Sequence, residues 1–414
     1  MGIEVAYIWF MITKGIGFLS MLPSLGWLEQ QKVWNEKKQV FVYEAGHNSV
    51  LILLYGVITI GITALFIMVW CSSLKSAYKA QCLKKAGVRL KSIKDDIKDL
   101  FDTNLHKLLL AVPLTGITAF TVLPLIFMIC MAFTNYSKAW PGNGNQNKLI
   151  LFDWVGLKNF GDVLNFNNTI GQEFWSVLGW TIVWAIFATF LNYLFGMILA
   201  IVINRQGTRF KAFWRFCFVI SIAVPQFVSL MIIRNMFKDN GAVNILFQNL
   251  GILGQGEVYP WMTDATWARI LLIVINLWVG IPYTVMQVTG ILQNIPEDQY
   301  EAARIDGATV VQQFRYVTLP YMIFVLTPYI ITQFTGNINN FNIIYLLTGG
   351  GPTYVGDSAG QTDLLVTWLY KLSIDKQQYN MGAVIGIFTF VVLAVVALVT
   401  YRNSGSYKDE EGFK

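Results

Sequence analysis

Glu301-Ala302-Ala303-Arg304-Ile305-Asp306-Gly307 opens a charged stretch that runs on through Phe314 and Val317 to Leu319-Pro320. Long apolar runs flank it on both sides, so it joins two membrane crossings rather than lying within one. Pro296-Glu297-Asp298 predicts a helix start, with proline in the first turn and acids near the positive end of the dipole. Tyr300 to Ile305 continues as one short helix. Asp306-Gly307 is a turn signal, because glycine tolerates positive φ. Thr309-Val310-Val311-Gln312 then reads as a capping box that opens a second helix, and Pro320 marks the start of the next span. Two short helices set at an angle about Gly307 make a protruding knob. Without the spacing of the motif, an ordinary amphipathic cytoplasmic hairpin is the favoured reading.

The surroundings decide what kind of chain carries this stretch. Of 414 residues, 55% are hydrophobic, 15% aromatic and only 13% charged, and the mean hydropathy is +0.51. A soluble domain carries roughly twice that charged fraction. Apolar runs near residues 4–26, 50–71, 108–134, 174–203, 214–237, 268–291, 319–347 and 381–401 reach about the 20 residues a helix needs to cross a bilayer. The expected fold class is therefore an all-α integral membrane protein, a polytopic bundle of about eight transmembrane helices. The first run is the weakest: Lys14 splits it and Pro23 breaks it, so an interfacial helix is an alternative. It has no small-residue processing site and is not read as a cleaved signal peptide.

The net charge of +6 then speaks of topology, not of nucleic acid. Lys75, Lys79, Lys84, Lys85, Arg89, Lys91, Lys94 and Lys98 crowd the segment 72–107, and Arg205, Arg209 and Lys211 the loop after the fourth span. Both segments are expected in the cytoplasm. Counting onward puts the 292–318 loop and the tail from Arg402 inside, and 135–173, 238–267 and 348–380 outside. The lysine-rich segment could be a polybasic lipid strip. Asp95, Asp96 and Asp99 alternate with its lysines, which favours a solvated helix. Cys71, Cys82, Cys130 and Cys217 read as packing residues rather than disulfides. His47 and His106 form no metal or catalytic motif. No phosphate-binding loop is present, so no ATP site and no cofactor are expected on this chain.

Polar residues inside apolar runs usually line a pathway or pack helices. The seventh run carries Gln333, Thr335, Asn337, Asn339, Asn340 and Asn342. The sixth carries Asn276, Gly280 and Tyr283 at i, i+4 and i+7, with Pro282 expected to weaken the helix there. The fifth holds Ser221, Pro225, Gln226 and Ser229. These are amides, hydroxyls and a phenol with no mid-span carboxylate, which suits a neutral polyol such as a sugar better than an ion or amino acid.

The opening stretch resembles the EAA loop of the membrane subunits of binding-protein-dependent ABC importers, with Val317 in place of the usual isoleucine. The runs Asn276-Leu277-Trp278-Val279-Gly280-Ile281-Pro282-Tyr283, Asn337-Ile338-Asn339-Asn340-Phe341 and Leu347-Thr348-Gly349-Gly350-Gly351-Pro352 narrow this. So does Ala359-Gly360-Gln361-Thr362-Asp363-Leu364-Leu365. Over roughly residues 105–405 they look like the MalF-type permease subunit of maltose/maltodextrin importers. The resemblance implies a type I ABC importer permease fold, with residues 1–107 as N-terminal helices plus a basic segment and 108–414 as the transmembrane domain, its coupling loop at 292–320. It implies that Glu301 makes the charged contact to an ATPase, Ala302 and Ala303 allow close approach, Gly307 sets the bend and Phe314 anchors. It places Asn276, Val279, Gly280, Tyr283, Gly336, Asn337 and Asn340 at the sugar site, with Gln226 and Ser229 added. Gly336 departs from the pattern, where an aromatic is usual. The implied partners are a second homologous permease chain, two ATPase chains that use ATP and Mg, an extracellular sugar-binding protein, and membrane lipid.

The short second outer loop, 135–173, implies a Gram-positive-like member in the cell membrane. The glycine-rich 348–363 loop is either a contact for the binding protein or an ordinary flexible loop. The expected function is a permease that performs no chemistry itself. Another neutral oligosaccharide or a glycerol derivative is the rival cargo. A membrane-embedded transferase is the rival class; it needs carboxylates or histidine in a cleft, whereas the acids here lie almost entirely in loops. A passive channel or scaffold has no need of an ATPase handle.

Overall fold

The structure is a computed structural model that describes residues 2–28, 32–35, 40–43, 46–87, 95, 98–99, 101–137, 151–205 and 207–403. Among the described residues, six helices are long and apolar enough to cross a membrane, or seven if one sharply bent pair counts as a single span. The expected eighth, residues 4–26, is a helical run over 2–21 followed by a turn, and is not among them. A two-stranded antiparallel hairpin, β1 (Lys32–Asn35) with β2 (Val40–Tyr43), is an addition to the all-α expectation.

The chain divides into two compact units, Met1–Phe160 with Gln377–Ala383, and Gly161–Lys376 with Val384–Lys414. In the first, helix α1 (residues 2–21) packs on α2 (Ser49–Lys85), where Tyr7 stacks on Phe66 at 3.9 Å and donates to the Thr63 hydroxyl at 3.2 Å. Asn48 caps α2 by accepting from the Val50 and Leu51 amides. At about 1.5 Å per residue, α2 is far longer than the ~30 Å hydrocarbon core. It carries Lys75, Lys79, Lys84 and Lys85 on one unbroken helix. Residues 88–94, 96–97 and 100 lie outside the described residues, and with them much of the expected solvated helix. Helix α3 (Leu105–Ala132) follows. Beyond it, Asn159 on α4 (Lys158–Leu164) donates to the Ala132 and Thr134 carbonyls.

The second unit is built around α5 (Thr169–Asn204) and α9 (Ala265–Gln293). Their approach is close because small and polar residues face each other. A Cβ on Gly196 would lie 2.6 Å from Thr284, and one on Gly280 2.3 Å from the Asn192 amide. Pro282 does not interrupt α9; it is buried within a continuous helix. The expected fifth span is in fact two helices, α6 (Lys211–Ala223) and α7 (Gln226–Met236), bent by 88°. The cause is Pro225, which disfavours helical dihedrals at the preceding Val224; that residue sits extended at φ −77°, ψ 125°. The short α8 (Ala242–Asn249) follows outside the spans.

One core of this unit gathers Trp180, Trp184, Leu230, Leu271, Leu272, Ile343, Ile344 and Leu347. A second gathers Tyr193, Val285, Val288, Met322 and Leu326. The described residues end in α14 (Tyr379–Asn403).

Candidate functional site

The handle is the stretch between α9 and the seventh apolar run. Helix α10 (Glu297–Ile305) carries Glu297 and Asp298 in its first turn, after Pro296. It ends where Gly307 takes φ +76°, and the Ala308 amide reaches back to the Ala303 carbonyl at 2.9 Å. That wrap needs a left-handed residue, which glycine supplies at least cost. The capping box forms: the Thr309 amide donates to Gln312 Oε1 at 2.8 Å, and the Gln312 amide donates to Thr309 Oγ1 at 3.4 Å.

The second short helix is not separate, however. It runs through a π turn, Phe314–Thr318, straight into Leu319–Ile338. Residues 310–338 are thus one helix, α11, and Pro320 lies inside it. The wider π turn accommodates a residue that cannot donate a backbone bond. Tyr300 ties α10 to this helix through a 2.9 Å hydroxyl pair with Thr318.

Glu301, Ala302 and Gly307 are exposed, and Ala303 is half-buried. Phe314, expected as the apolar anchor, is half-buried too. Strongly exposed apolar groups of the handle are Ile305 (86% exposed), Val310 (72%), Val311 (73%) and Tyr316 (71%). Ala302 and Ala303 line a groove of about 630 Å³ with Asp306, Gln312 and Tyr316. In sequence these apolar residues pass as ordinary members of an amphipathic helix.

The intramembrane candidates fall into two groups. Asn276 and Asn337 are buried and converge on neighbouring residues of α5. Asn276 Nδ2 donates to the Ala188 carbonyl at 3.3 Å, and Asn337 Nδ2 to Thr189 Oγ1 at 2.9 Å. Trp184 Nε1 in turn donates to the Asn337 carbonyl at 3.1 Å. Gly280 lies against Asn192, whose Oδ1 is buried without a partner. Val279, Asn340, Gln226 and Ser229 are half-buried; Tyr283 and Gly336 are exposed, and a Cβ on Gly336 would meet nothing. Asn340 caps α12 (Phe341–Leu347), accepting from the Ile343 amide at 3.3 Å. The amides at 276 and 337 thus both bond to α5, which is their common wall. That wall had a signal in the sequence: Thr189 and Asn192, three apart in an apolar run.

The loop over residues 348–363 is tied down rather than loose. Asp363 is fully buried; its Oδ2 pairs with Lys371 Nζ at 2.6 Å and accepts from the Gly360 amide at 2.7 Å. Its Oδ1 accepts from Thr367 at 2.8 Å. Burial pushes the Asp363 carboxyl above the ordinary aspartate range, with Lys371 and these hydrogen bonds pulling against that shift. Thr348 and Thr362 pair at 2.9 Å, Arg269 Nε donates to the Gln361 carbonyl at 2.9 Å, and Glu173 accepts from the Ser358 amide at 2.7 Å.

A handle of this form, on a bundle of this kind, coincides with a family match. The model of the binding-protein-dependent transport system inner membrane component matches residues 192–405, which include both handle and polar spans. The chain belongs to this family. It is a multi-pass membrane permease and not an enzyme. The permease is 39% identical to the galactooligosaccharides transport system permease protein GanP of Bacillus subtilis, over 88% of this chain and 85% of that one. It is 35% identical to the maltodextrin transport system permease protein MdxF of the same organism, over 88% and 84%. The maltose/maltodextrin transport system permease protein MalF of Escherichia coli is 36% identical over 60% of this chain and 48% of its own. Among solved structures, a bacterial ABC transporter involved in alginate import superposes with a TM-score of 0.59 at 20% identity, covering 74% of the permease and 96% of that chain. At that identity the likeness speaks for the fold alone.

Proposed function

We propose that the permease forms the translocation pathway of an ATP-driven importer of neutral oligosaccharides, maltodextrins foremost. The observation that carries the coupling half of this reading is the handle. An EAA-type stretch presents Glu301 beside exposed Ile305, Val310, Val311 and Tyr316 and a groove floored by two alanines. Exposed apolar side chains rimmed by charge mark a partner surface. The partner in this reading is an ATPase chain, one of two, with a second homologous permease completing the pathway. ATP and Mg belong to the ATPases, and this chain holds no cofactor. Closure of the ATPases would move the handle and turn the cavity outward, to receive sugar from an extracellular binding protein.

The cargo half rests on the neutral polar set Asn276, Val279, Gly280, Tyr283, Gly336, Asn337 and Asn340, with Gln226 and Ser229. It rests also on relatives whose names carry maltodextrin. Galactooligosaccharides are the second reading, favoured by the 39% identity to GanP. The cell membrane of a Gram-positive-like bacterium is the proposed setting. ATP hydrolysis by the reconstituted four-chain complex with its binding protein, tested against maltodextrins, galactooligosaccharides and amino acids, checks the whole. Stimulation by the first is expected. Stimulation by amino acids alone would overturn the cargo, and hydrolysis untouched by any solute would overturn the coupling.

A further inference from the structure

Helix α12 is two-faced. Ile343, Ile344 and Leu347 are buried to within 1% in the core. Phe341 and Tyr345 lie on the other side, half-buried and stacked on each other at 4.8 Å with planes 21° apart. Tyr370, from α13 (Leu365–Tyr370), meets both edge-on, at 5.1 Å from Phe341 and 5.2 Å from Tyr345. Three aromatic rings from two helices thus converge next to Asn340 with part of each left uncovered.

Tyr345 and Tyr370 each add a phenol hydroxyl to the cluster, their rings 5.2 Å apart. Half-buried rings that carry phenol hydroxyls offer the two elements a pyranose needs. Its axial C–H face packs on an aromatic plane, and its hydroxyls bond to planar polar groups. The rings also lie just past the helix break from Gly336, which has no side chain for a sugar to stack on.

We propose that Phe341, Tyr345 and Tyr370 form a stacking platform that holds the second and later rings of a neutral oligosaccharide, beyond the Asn337–Asn340 pair. This rests on the transport reading above. It makes the platform a determinant of chain length rather than of transport as such.

The test is uptake by proteoliposomes holding the full complex and its binding protein, supplied with maltose or with maltopentaose. Tyr345→Leu and Tyr370→Leu keep apolar bulk and remove the ring, one on each helix. Each is expected to lower the ratio of pentasaccharide to disaccharide uptake about 2–10-fold, the range one stacking contact supports. Tyr345→Phe, which keeps the ring, is expected to restore most of the ratio. An unchanged ratio in both leucine variants, whatever the absolute rate, overturns the platform. If the wild-type complex takes up neither sugar, the transport reading itself has failed, and the platform with it.

Discussion

Gly280 and Gly336 are both glycines in apolar spans, yet the structure gives them opposite roles. A Cβ on Gly280 would collide with Asn192, whereas one on Gly336 finds open space. Overpacking a tight site costs about 1–3 kcal/mol. Gly280→Ala is therefore expected to lower the thermal midpoint of the purified permease by several degrees, and Gly336→Ala to leave it unmoved. Equal midpoints would show that α5 and α9 are less closely set than described. At Asp363 the stakes are higher. Asp363→Asn leaves Lys371 facing an amide in a buried setting, and breaking such a pair costs about 3–5 kcal/mol. Proteolysis of the outer loop in membranes, slow in the wild type, should become fast in the variant. The sequence showed Asp363 only as part of a resemblance, since its partner Lys371 lies eight residues on, past the short α13, and no i,i+3 or i,i+4 pattern announces the pair.

The handle was the most legible element. Its helix start, the turn at Gly307 and the capping box at Thr309 rest on short-range chemistry, and all three are formed. What could not be read was the continuity of α11, because Leu319-Pro320 looks like a boundary and only a π turn makes it an interior. The bend at Pro225 was misread the other way. Its apolar composition passed for one span, although the proline sets the preceding residue against the helix. The polar spans were legible as polar, with packing and pathway lining both open, but which wall Asn276 and Asn337 meet depends on α5, far off in sequence. For the handle itself, Glu301→Lys reverses an exposed charge without touching the core. Transport should be lost and ATP hydrolysis uncoupled from sugar, with the protein still in the membrane. Normal uptake at normal expression would remove Glu301 from the coupling surface.

At the scale of the molecule, orientation follows from charge, and the structure sharpens how to test it. Gly350 is a poor reporter: it is buried at φ +80°, where a side chain would strike Asp363. Val355, fully exposed in the same loop, is a sound one. In a background without Cys71, Cys82, Cys130 and Cys217, Val355→Cys should react with an impermeant thiol reagent applied to whole cells. Lys84→Cys, exposed at the far end of α2, should react only after the membrane is opened. The reverse pattern would turn the permease over and carry the handle to the wrong side.

The continuity of α11 has a mechanical corollary. Val310 at the handle and Asn337 at the α5 wall ride on the same helix, about 40 Å apart at 1.5 Å per residue. Tilting such a lever by ~5° about its foot swings the far end by roughly 3–4 Å, beyond what a hydrogen bond tolerates. Under the proposed coupling, the 2.9 Å bond from Asn337 to Thr189 would act as a detent, which a stroke begun at the handle would first have to spring.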